Sequence, residues 1–336
     1  MPFTLAQYAQ LERDELKKGI MLELLRHSPL MNFVPFEDVD ALNVKAMRWE
    51  RLPSGGTWRP VNGSYPEIDL GQVGEVWESV YGFGGEFKFD KIFDHMKNYI
   101  EDPKVAHLRA FLKSRAMDWN NAFINGDIGT NPDAFDGIKK RVAAMDSRQT
   151  IWFAANGGAP YDPTADGKAA RTFFRKLNAA IKRCNGGKAS LILANEAVIE
   201  GMEAVAYLLQ AQGNYFDVTK DMLGRTFTTY KDIPIVDPGL LQDQTTEIIT
   251  NTEVAGDGGA DSTSIYVVSI DRDEGLHGIQ ATSPEAYDPL KGAEMESKPA
   301  TMLRIDWWNG IATFGRRCIV RLRNLEAPSD WTEAVS

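Results

Sequence analysis

Apolar side chains in the first 26 residues recur at helical spacing. They lie at steps of about three or four and are Leu5, Tyr8, Leu11, Leu16, Ile20, Leu22 and Leu25. Charged residues at positions 14, 15, 17 and 18 cover the other side. The pattern predicts a short amphipathic helix or arm over residues 4–26. Its apolar stripe must be buried either on the main body or on another chain.

The chain from residue 42 to residue 85 alternates between apolar and polar side chains, which is typical of β-strands. The alternation fades after residue 51, where a Pro-Ser-Gly-Gly turn signal follows at 53–56, and it returns over 72–83. Residues 57–61 are suited to return antiparallel to the first strand. Too few apolar residues lie between these strands to form a core, so we expect a projecting β-hairpin. Such a ribbon is marginal alone, and its open edges favour pairing with a partner chain.

A long helix is predicted for residues 90–125. Its apolar stripe is formed by Ile92, Phe93, Met96, Tyr99 and Ile100, and then by Val105, Leu108, Phe111, Leu112, Trp119, Ala122 and Phe123. Asp102-Pro103 is typical of a helix start, with Asp as N-cap and Pro at the first helical position. Gly126 ends the pattern. The second part alone, about 22 residues, is roughly 33 Å long, which suits a structural spine.

Helical and strand patterns alternate between residues 130 and 300, as in a mixed α+β unit. Helices are predicted at 168–184 and 196–209, and strands at 150–153, 190–194, 232–236 and 264–270. Residues 318–323 again alternate as a strand, with Cys318, Val320 and Leu322 on one face.

Composition narrows the class of protein. The chain has 336 residues, 43% of them apolar and 25% charged, which excludes wholesale disorder. Two cysteines exclude a disulfide scaffold, and no apolar run approaches the ~18 residues of a membrane span. The net charge of −10 argues against a protein whose main task is to coat nucleic acid.

Charge is unevenly distributed along the C-terminal third. Residues 241–274 carry eight acids and one arginine, whereas residues 301–325 carry five arginines and one aspartate. The arginines can form ion pairs within the chain, guard a sheet edge, or face an acidic neighbour or nucleic acid. Because the two segments are complementary, contact between them on different chains is one hypothesis.

No catalytic or metal-binding pattern stands out. The histidines, which are His27, His95, His107 and His277, lack the spacing of a transition-metal site. Residues 81–85 are glycine-rich but lack the spacing of a phosphate-binding loop, and we expect a strand kink or hinge there. Cys184 follows two cations but is better explained as an incidental cysteine. The acids at 253–261 do not match a calcium loop, so a solvated loop is expected.

Five short stretches, none of them catalytic, follow one another in a specific order. They are Leu52-Pro53 with Trp58-Arg59 and Asn62; Phe89-Asp90-Lys91; residues 123–127 with Pro132, Phe135, Gly137 and Ile138; residues 224–235, ending in Tyr230-Lys231-Asp232-Ile233-Pro234-Ile235; and Trp307-Trp308-Asn309-Gly310-Ile311 through Arg321-Leu322. In this order they resemble the signatures of the major capsid proteins of tailed double-stranded DNA bacteriophages. The resemblance covers nearly the whole chain.

The resemblance implies an α+β capsid fold of the Hong Kong phage type in four parts. These are an N-terminal arm (1–41), an extended β-hairpin or E-loop (42–88), a peripheral domain with the spine helix and the C-terminal strands (89–145 and 300–336), and a mixed α/β axial domain (146–299).

The same resemblance implies a structural protein rather than an enzyme, without cofactor, metal or membrane association. Its first partner is itself, in hexamers and pentamers that form an icosahedral shell around phage double-stranded DNA. Further implied partners are a separate scaffolding protein, a portal and a cement or decoration protein, with weak contact to the packaged DNA. The implied location is the virion, assembled in the host cytoplasm.

The candidate inter-subunit contacts are Arg51, Trp58, Arg59, Asn62, Arg316 and Arg317. Trp58 and Arg59 are expected to be buried anchors on a neighbouring subunit. Packing of Trp58 within its own chain is the alternative.

Two departures from the family pattern affect these expectations. Some relatives crosslink an E-loop lysine to a neighbouring subunit, but residues 51–87 contain no lysine, and the first is Lys88. We therefore expect a shell without covalent crosslinks. Some relatives also carry a long N-terminal scaffolding segment, whereas here the arm begins at once, so scaffolding is expected from a separate protein.

Two other functions remain open from the sequence. An encapsulin-type nanocompartment shares the fold and holds enzyme cargo instead of DNA. An α/β hydrolase or transferase is the alternative from a different class.

Overall fold

The alternating and helical patterns of the sequence build two β-sheets with helices packed between and over them. A computed structural model describes residues 2–90, 92, 103–154, 158–209, 216–220, 224–259, 261–290, 295 and 298–327. The helices are α1 (Leu5–Leu11), α2 (Glu15–His27), α3 (Pro103–Asn125), α4 (Ile138–Ala143), α5 (Gly167–Arg183) and α6 (Glu196–Leu208). The strands are β1 (Phe3–Thr4), β2 (Pro35–Asp38), β3 (Asn43–Arg51), β4 (Ser54–Gly55), β5 (Ile68–Asp69), β6 (Gln72–Ser79), β7 (Tyr81–Asp90), β8 (Thr150–Trp152), β9 (Leu191–Leu193), β10 (Phe216–Lys220), β11 (Thr226–Tyr230), β12 (Ile233–Val236), β13 (Ser262–Val268), β14 (Leu276–Gln280), β15 (Glu285–Tyr287), β16 (Ala300–Thr313) and β17 (Ile319–Glu326).

The N-terminal segment forms two helices where the sequence predicts one. The break lies between α1 and α2, where the Asp14 side chain accepts the backbone N–H of Leu16 at 2.9 Å and caps α2. Leu5, Ile20 and Leu25 are buried in the core of their own chain. Leu11, Leu16 and Leu22 of the predicted stripe are exposed, so only part of the stripe is buried on the main body.

The first sheet is built on the 14-residue strand β16. Strand β7 pairs with one edge of β16, while β14 and β15 pair with the other edge. Strand β2 runs parallel to β14, and β1 closes the sheet beyond β2. The glycine-rich residues 81–85 lie within β7 in regular pairing, so the expected kink or hinge is absent there.

The second sheet has the strand order β10-β11-β12-β9-β13-β17-β8. Side chains alternate across it, because Ile192 and Val320 face the core that contains α5 and α6, whereas Leu193 and Ile319 face the core around α2 and α3. The sheet thus separates two hydrophobic cores. The helices and strands predicted between residues 150 and 270, and the α+β fold class, are confirmed.

The two C-terminal strands lie in different sheets, which bears on the expected domain division. Strand β16 belongs to the first sheet, but β17 is a central strand of the second. Conversely, β14 lies within the range expected for the axial domain and pairs in the first sheet. Boundaries at 146 and 300 therefore do not follow the sheets, since the chain crosses between them more than once. Residues 328–336 lie outside the described residues.

Helix α3 is the expected spine. It begins at Pro103 and runs for 23 residues to Asn125, about 35 Å. Trp119 is fully buried against Phe36 and Trp307, and its indole Nε1 donates to Asn309 Oδ1 at 3.0 Å. This hydrogen bond satisfies the one polar atom of a large apolar side chain. The predicted stripe at 93–100 and the Asp102 N-cap lie outside the described residues.

A buried ion pair fixes the base of the β3–β6 hairpin to the body. Both carboxylate oxygens of Glu78, on β6, accept from the Arg141 guanidinium on α4, at 2.5 and 2.9 Å. The guanidinium also donates to Thr313 Oγ1 and to the carbonyl of Ile311, both on β16. Four hydrogen bonds therefore join three elements at one buried point.

Replacing Arg141 by methionine should destabilise the body strongly. The change leaves the Glu78 carboxylate buried without its cation, which costs about 3–5 kcal/mol in comparable buried pairs. Urea unfolding of the unassembled protein measures the loss. The double variant E78Q/R141M removes the stranded charge and should recover part of it, and a double variant no more stable than R141M would contradict this account.

Candidate inter-subunit surface

The predicted hairpin is present and projects from the body. Strands β3 and β6 pair antiparallel, from Asn43 opposite Ser79 to Arg51 opposite Gln72. Beyond this ladder only the two-residue pair β4–β5 continues it. We call the segment from residue 42 to residue 80 the hairpin, and residues 52–71 its tip.

Two details of the hairpin differ from the sequence expectation. Residues 57–61 form no strand, because Pro60 lacks an N–H for a ladder and Asn62 has a positive φ of 64°. The expected turn at 53–56 is not the end of the hairpin, since Ser54–Gly55 pairs with Ile68–Asp69. The chain therefore reverses further out, through an irregular loop.

The hairpin exposes a large amount of apolar surface. Ten large apolar side chains in it are exposed: Leu42, Met47, Leu52, Trp58, Val61, Tyr65, Ile68, Leu70, Val73 and Trp77. Six of them lie along the tip, Met47, Val73 and Trp77 share one face of the ladder, and Leu42 precedes β3. Sequence analysis singled out only Trp58 among them. The apolar residues between positions 65 and 77 were the sequence feature that could have identified the others, because no strand of the body covers them.

Trp58 is the most exposed of these side chains, at 97% of its accessible surface, and Val61 is 92% exposed. The alternative that Trp58 packs within its own chain is therefore wrong. An indole left fully in water is typical of an interface anchor whose partner is another molecule.

The polar candidates of the tip hold its backbone. Arg51 Nη1 lies 2.5 Å from Asp69 Oδ2 across the ladder, and this guanidinium holds the pKa of the Asp69 carboxyl below its ordinary value. Arg59 donates to the carbonyl of Gly63 at 3.0 Å and covers the Tyr65 ring. These contacts preorganise the tip in the free chain, which lowers the entropy lost on docking.

Arg316 and Arg317 lie apart from the tip, in the loop between β16 and β17. Arg316 donates to the carbonyl of Glu50 at 3.2 Å, beside the end of β3, and Arg317 is exposed. A cleft of about 570 Å³ between β3 and this loop is lined by both arginines and by Asp273 and Glu274. The six candidates therefore form two groups, with four on the hairpin and two beside the outer end of β3.

The acidic and basic C-terminal segments meet within one chain. Glu253 is buried, with one carboxylate oxygen 2.8 Å from Arg321 Nη2 and the other 2.8 Å from Lys139 Nζ. Arg323 donates to the carbonyl of Val254 and stacks on Trp152. The expected solvated loop is thus wrong at Glu253, where one ion pair between the two segments forms inside the chain.

The two cysteines and His277 are buried structural residues. Burial raises the pKa of the Cys184 and Cys318 thiols, so neither is an activated nucleophile. Burial lowers the pKa of His277, which favours the neutral ring. Within the residues that the structure describes, no three His, Cys, Asp or Glu side chains converge as ligands for a metal ion. None of the helices in the described ranges has the length and apolar character needed to span a bilayer.

Comparison with solved structures places this arrangement among viral and bacterial shells. Over 89% of this chain and 87% of the other, the structure superimposes on the holo-SrpI encapsulin complex of Synechococcus elongatus PCC 7942, with a TM-score of 0.59 and 11% identity. It superimposes equally widely on the capsid of an empty GTA particle (TM-score 0.57, 13% identity, 89% and 90% covered). Microbacterium phage Oxtober96 gives a TM-score of 0.55 at 11% identity, with 88% and 90% covered.

The chain has the fold of phage major capsid proteins. The encapsulin shell has it too, so the fold expected from the sequence resemblance is confirmed. No protein-family model and no curated protein sequence matches the chain. At identities this low, the similarity to capsid proteins is seen in the short motifs and in the fold, not in overall sequence identity.

Replacing Glu253 by glutamine should destabilise the protein at neutral pH. Burial disfavours the Glu253 carboxylate, but Arg321 and Lys139 outweigh burial and hold its pKa below 4.5. The carboxylate therefore stabilises the fold above pH 4.5, and this contribution is lost as pH falls through the lowered pKa. We expect a loss of about 1.5–3 kcal/mol in free energy of unfolding at pH 7.

The measurement is urea unfolding of E253Q and wild type between pH 7 and pH 3. The difference should narrow below pH 4.5, and a difference independent of pH would contradict the proposed role of the charge. The exposed Glu200 on α6, replaced by glutamine, is the control for net charge.

Proposed function

We propose that this chain is a major capsid protein that assembles into hexamers and pentamers of an icosahedral shell around phage double-stranded DNA. One observation carries the proposal: a capsid-type body holds out a hairpin with ten exposed large apolar side chains. A monomeric soluble protein rarely exposes so much contiguous apolar surface. Many copies of the chain supply the missing cover.

The energetics favour assembly through this hairpin. Burying one large apolar side chain contributes about 1.5–3 kcal/mol, so a few of the ten suffice to offset the entropy of association. The ion pair between Glu78 and Arg141 keeps the base of the hairpin fixed. Binding energy gained at the tip is therefore transmitted to the body instead of being lost in a loose arm.

The parts of the shell protein follow from this assignment. We propose that residues 42–88 are the E-loop, that α3 is the spine of a peripheral domain and that the second sheet is the core of an axial domain. Residues 1–41 are an N-terminal arm that packs on its own body. The contact candidates Trp58, Arg59 and Asn62 act at the tip, while Arg51, Arg316 and Arg317 act beside the outer end of β3.

The proposed partners are those of a virion. They are further copies of the chain, a separate scaffolding protein, a portal and a decoration protein, with assembly in the host cytoplasm. An encapsulin-type compartment is the second candidate, since an encapsulin complex shares the fold at a TM-score of 0.59. Nucleic acid extracted from purified native particles supports the phage shell, whereas a protein cargo without nucleic acid supports the compartment.

Removing the tip should abolish shells while leaving the body folded. Residues 52–71 are replaced by Asn-Gly, a turn that closes a two-residue hairpin between β3 and β6. This variant keeps Glu78 and therefore the Arg141 ion pair. We expect a soluble, cooperatively folding protein that forms no closed particles in negative-stain microscopy, and normal particles would contradict the assignment of the hairpin.

The single substitution W58A tests the anchor within the same experiment. It should slow assembly or raise the concentration needed for it, because the indole contributes only where a neighbour covers it. The matched control is L11A, which truncates another exposed apolar side chain, on α1 and outside the hairpin. Equal effects of W58A and L11A would remove Trp58 from the interface.

Mature particles should contain no covalent crosslinks between subunits. Residues 51–87 hold no lysine, so the tip carries no amine that could attack a side-chain amide of a neighbour. Boiled, reduced particles should therefore run as a single band near 37.4 kDa on a denaturing gel. A ladder of multiples would show that crosslinking uses another lysine.

A further inference from the structure

Helix α5 and the loop after it carry an unusual charge pattern for an acidic protein. Residues 167–188 contain seven cations and no acid, in a chain whose net charge is −10. The cations are Lys168, Arg171, Arg175, Lys176, Lys182, Arg183 and Lys188. A run of one sign on one helix creates a local positive field in a chain that is acidic overall.

Four of these cations form one exposed row. The opposite face of α5, with Phe173, Phe174 and Leu177, is buried in the core over the second sheet. Lys168, Arg171, Arg175 and Lys182 are exposed on the outer side, at steps of three, four and seven residues. We call these four residues the basic row. At 1.5 Å per residue it extends for about 21 Å along the helix.

The basic row has no counter-ion in its own chain. Among the residues that the structure describes, no carboxylate lies within 4.0 Å of any of the four. Lys176 is different, because it turns inward and donates to the carbonyls of Trp152 and Phe153. Lys231 extends the positive surface sideways, since its ammonium contacts Asn178 Oδ1 on α5 at 2.5 Å.

The row itself lacks the apolar centre of a protein interface. Within α5 no large apolar side chain is exposed, although Phe174 and Leu209 line a groove beside the row. Protein–protein interfaces have an apolar core with a polar rim, whereas binding to a phosphate backbone is electrostatic and needs none. The neighbouring helix α6 exposes Glu196, Glu200 and Glu203, so the positive footprint is only one helix wide.

We propose that the outer face of α5 contacts the phosphate backbone of the packaged double-stranded DNA and therefore faces the interior of the shell. The proposal rests on the proposed shell function and adds to it the orientation of the chain. Four cations neutralise few phosphates, so each contact is weak. Many copies hold the outermost DNA layer, while each contact exchanges readily during packaging and release.

The salt dependence of DNA binding tests the row. For B-DNA the logarithm of the affinity falls by about 0.9 per neutralised phosphate and per decade of salt, so the row accounts for a slope of about −3.6. That slope is about a 150-fold loss of affinity between 50 and 200 mM salt. The measurement is fluorescence anisotropy of a short labelled duplex of random sequence with unassembled wild-type protein.

The variant K168Q/R171Q/R175Q/K182Q should bind the duplex with most of that slope removed. Glutamine keeps helix propensity, so circular dichroism should stay unchanged. The matched control R13Q/K18Q/K220Q/K298Q removes four exposed cations elsewhere and should keep the wild-type slope. Equal slopes for the two variants would overturn the proposal. Tighter binding of poly-glutamate than of the duplex at equal charge would also overturn it, because it would assign the row to an acidic protein.

Electron microscopy of filled particles supplies an independent readout. The proposal requires α5 on the inner surface, and α5 on the outside would overturn it although the shell function stands. Failure of the wild-type chain to form any shell would instead count against the proposed function.

Discussion

The hairpin exposes apolar side chains along one face and along its tip that its own body does not cover, and the rest of this molecule is arranged around that constraint. Two strands have only two faces and two edges, so a two-stranded hairpin is marginal without a third partner. Here Met47, Trp58 and Leu70 are all left in water. The apolar cover that stabilises the hairpin must therefore come from another chain.

The body meets this constraint by making the hairpin stiff where it leaves the surface. Glu78 and Arg141 join β6 to α4 and β16, while β7 continues directly from the hairpin into the first sheet along ten residues of β16. Trp119 on α3 packs against Trp307 of the same strand. A force on the tip is thus carried through β16 to the spine helix, and docking of one copy positions the whole body.

The sequence predicted those features that depend on local periodicity and left out those that depend on long-range partners. The stripe of α5 and the alternation in β13 and β17 lie in single segments, so their elements could be predicted. The hairpin could be predicted from alternating residues that lack a core to pack on. Its turn was predicted too early, because the sequence around Ser54 and Gly55 resembles a chain reversal. In the structure, Ser54 and Gly55 pair with Ile68 and Asp69. The ion pair of Glu253 joins residues 68 positions apart, and no local pattern indicates it.

In the proposed shell of hexamers and pentamers, the irregular tip and the regular ladder would have different tasks. Subunits in the two rings meet their neighbours at different angles, so one surface must fit more than one geometry. Strands β3 and β6 keep a fixed register over Asn43–Arg51, which sets the direction of the arm. The tip has only the two-residue pair β4–β5, with Gly55 and Gly56 at positive φ, so its apolar side chains can adjust without disturbing the ladder. The hydrogen bonds of the ladder therefore set the direction of the arm, whereas the apolar contacts of the tip provide the fit to each neighbour. This division explains why the exposed apolar residues concentrate beyond the end of the ladder.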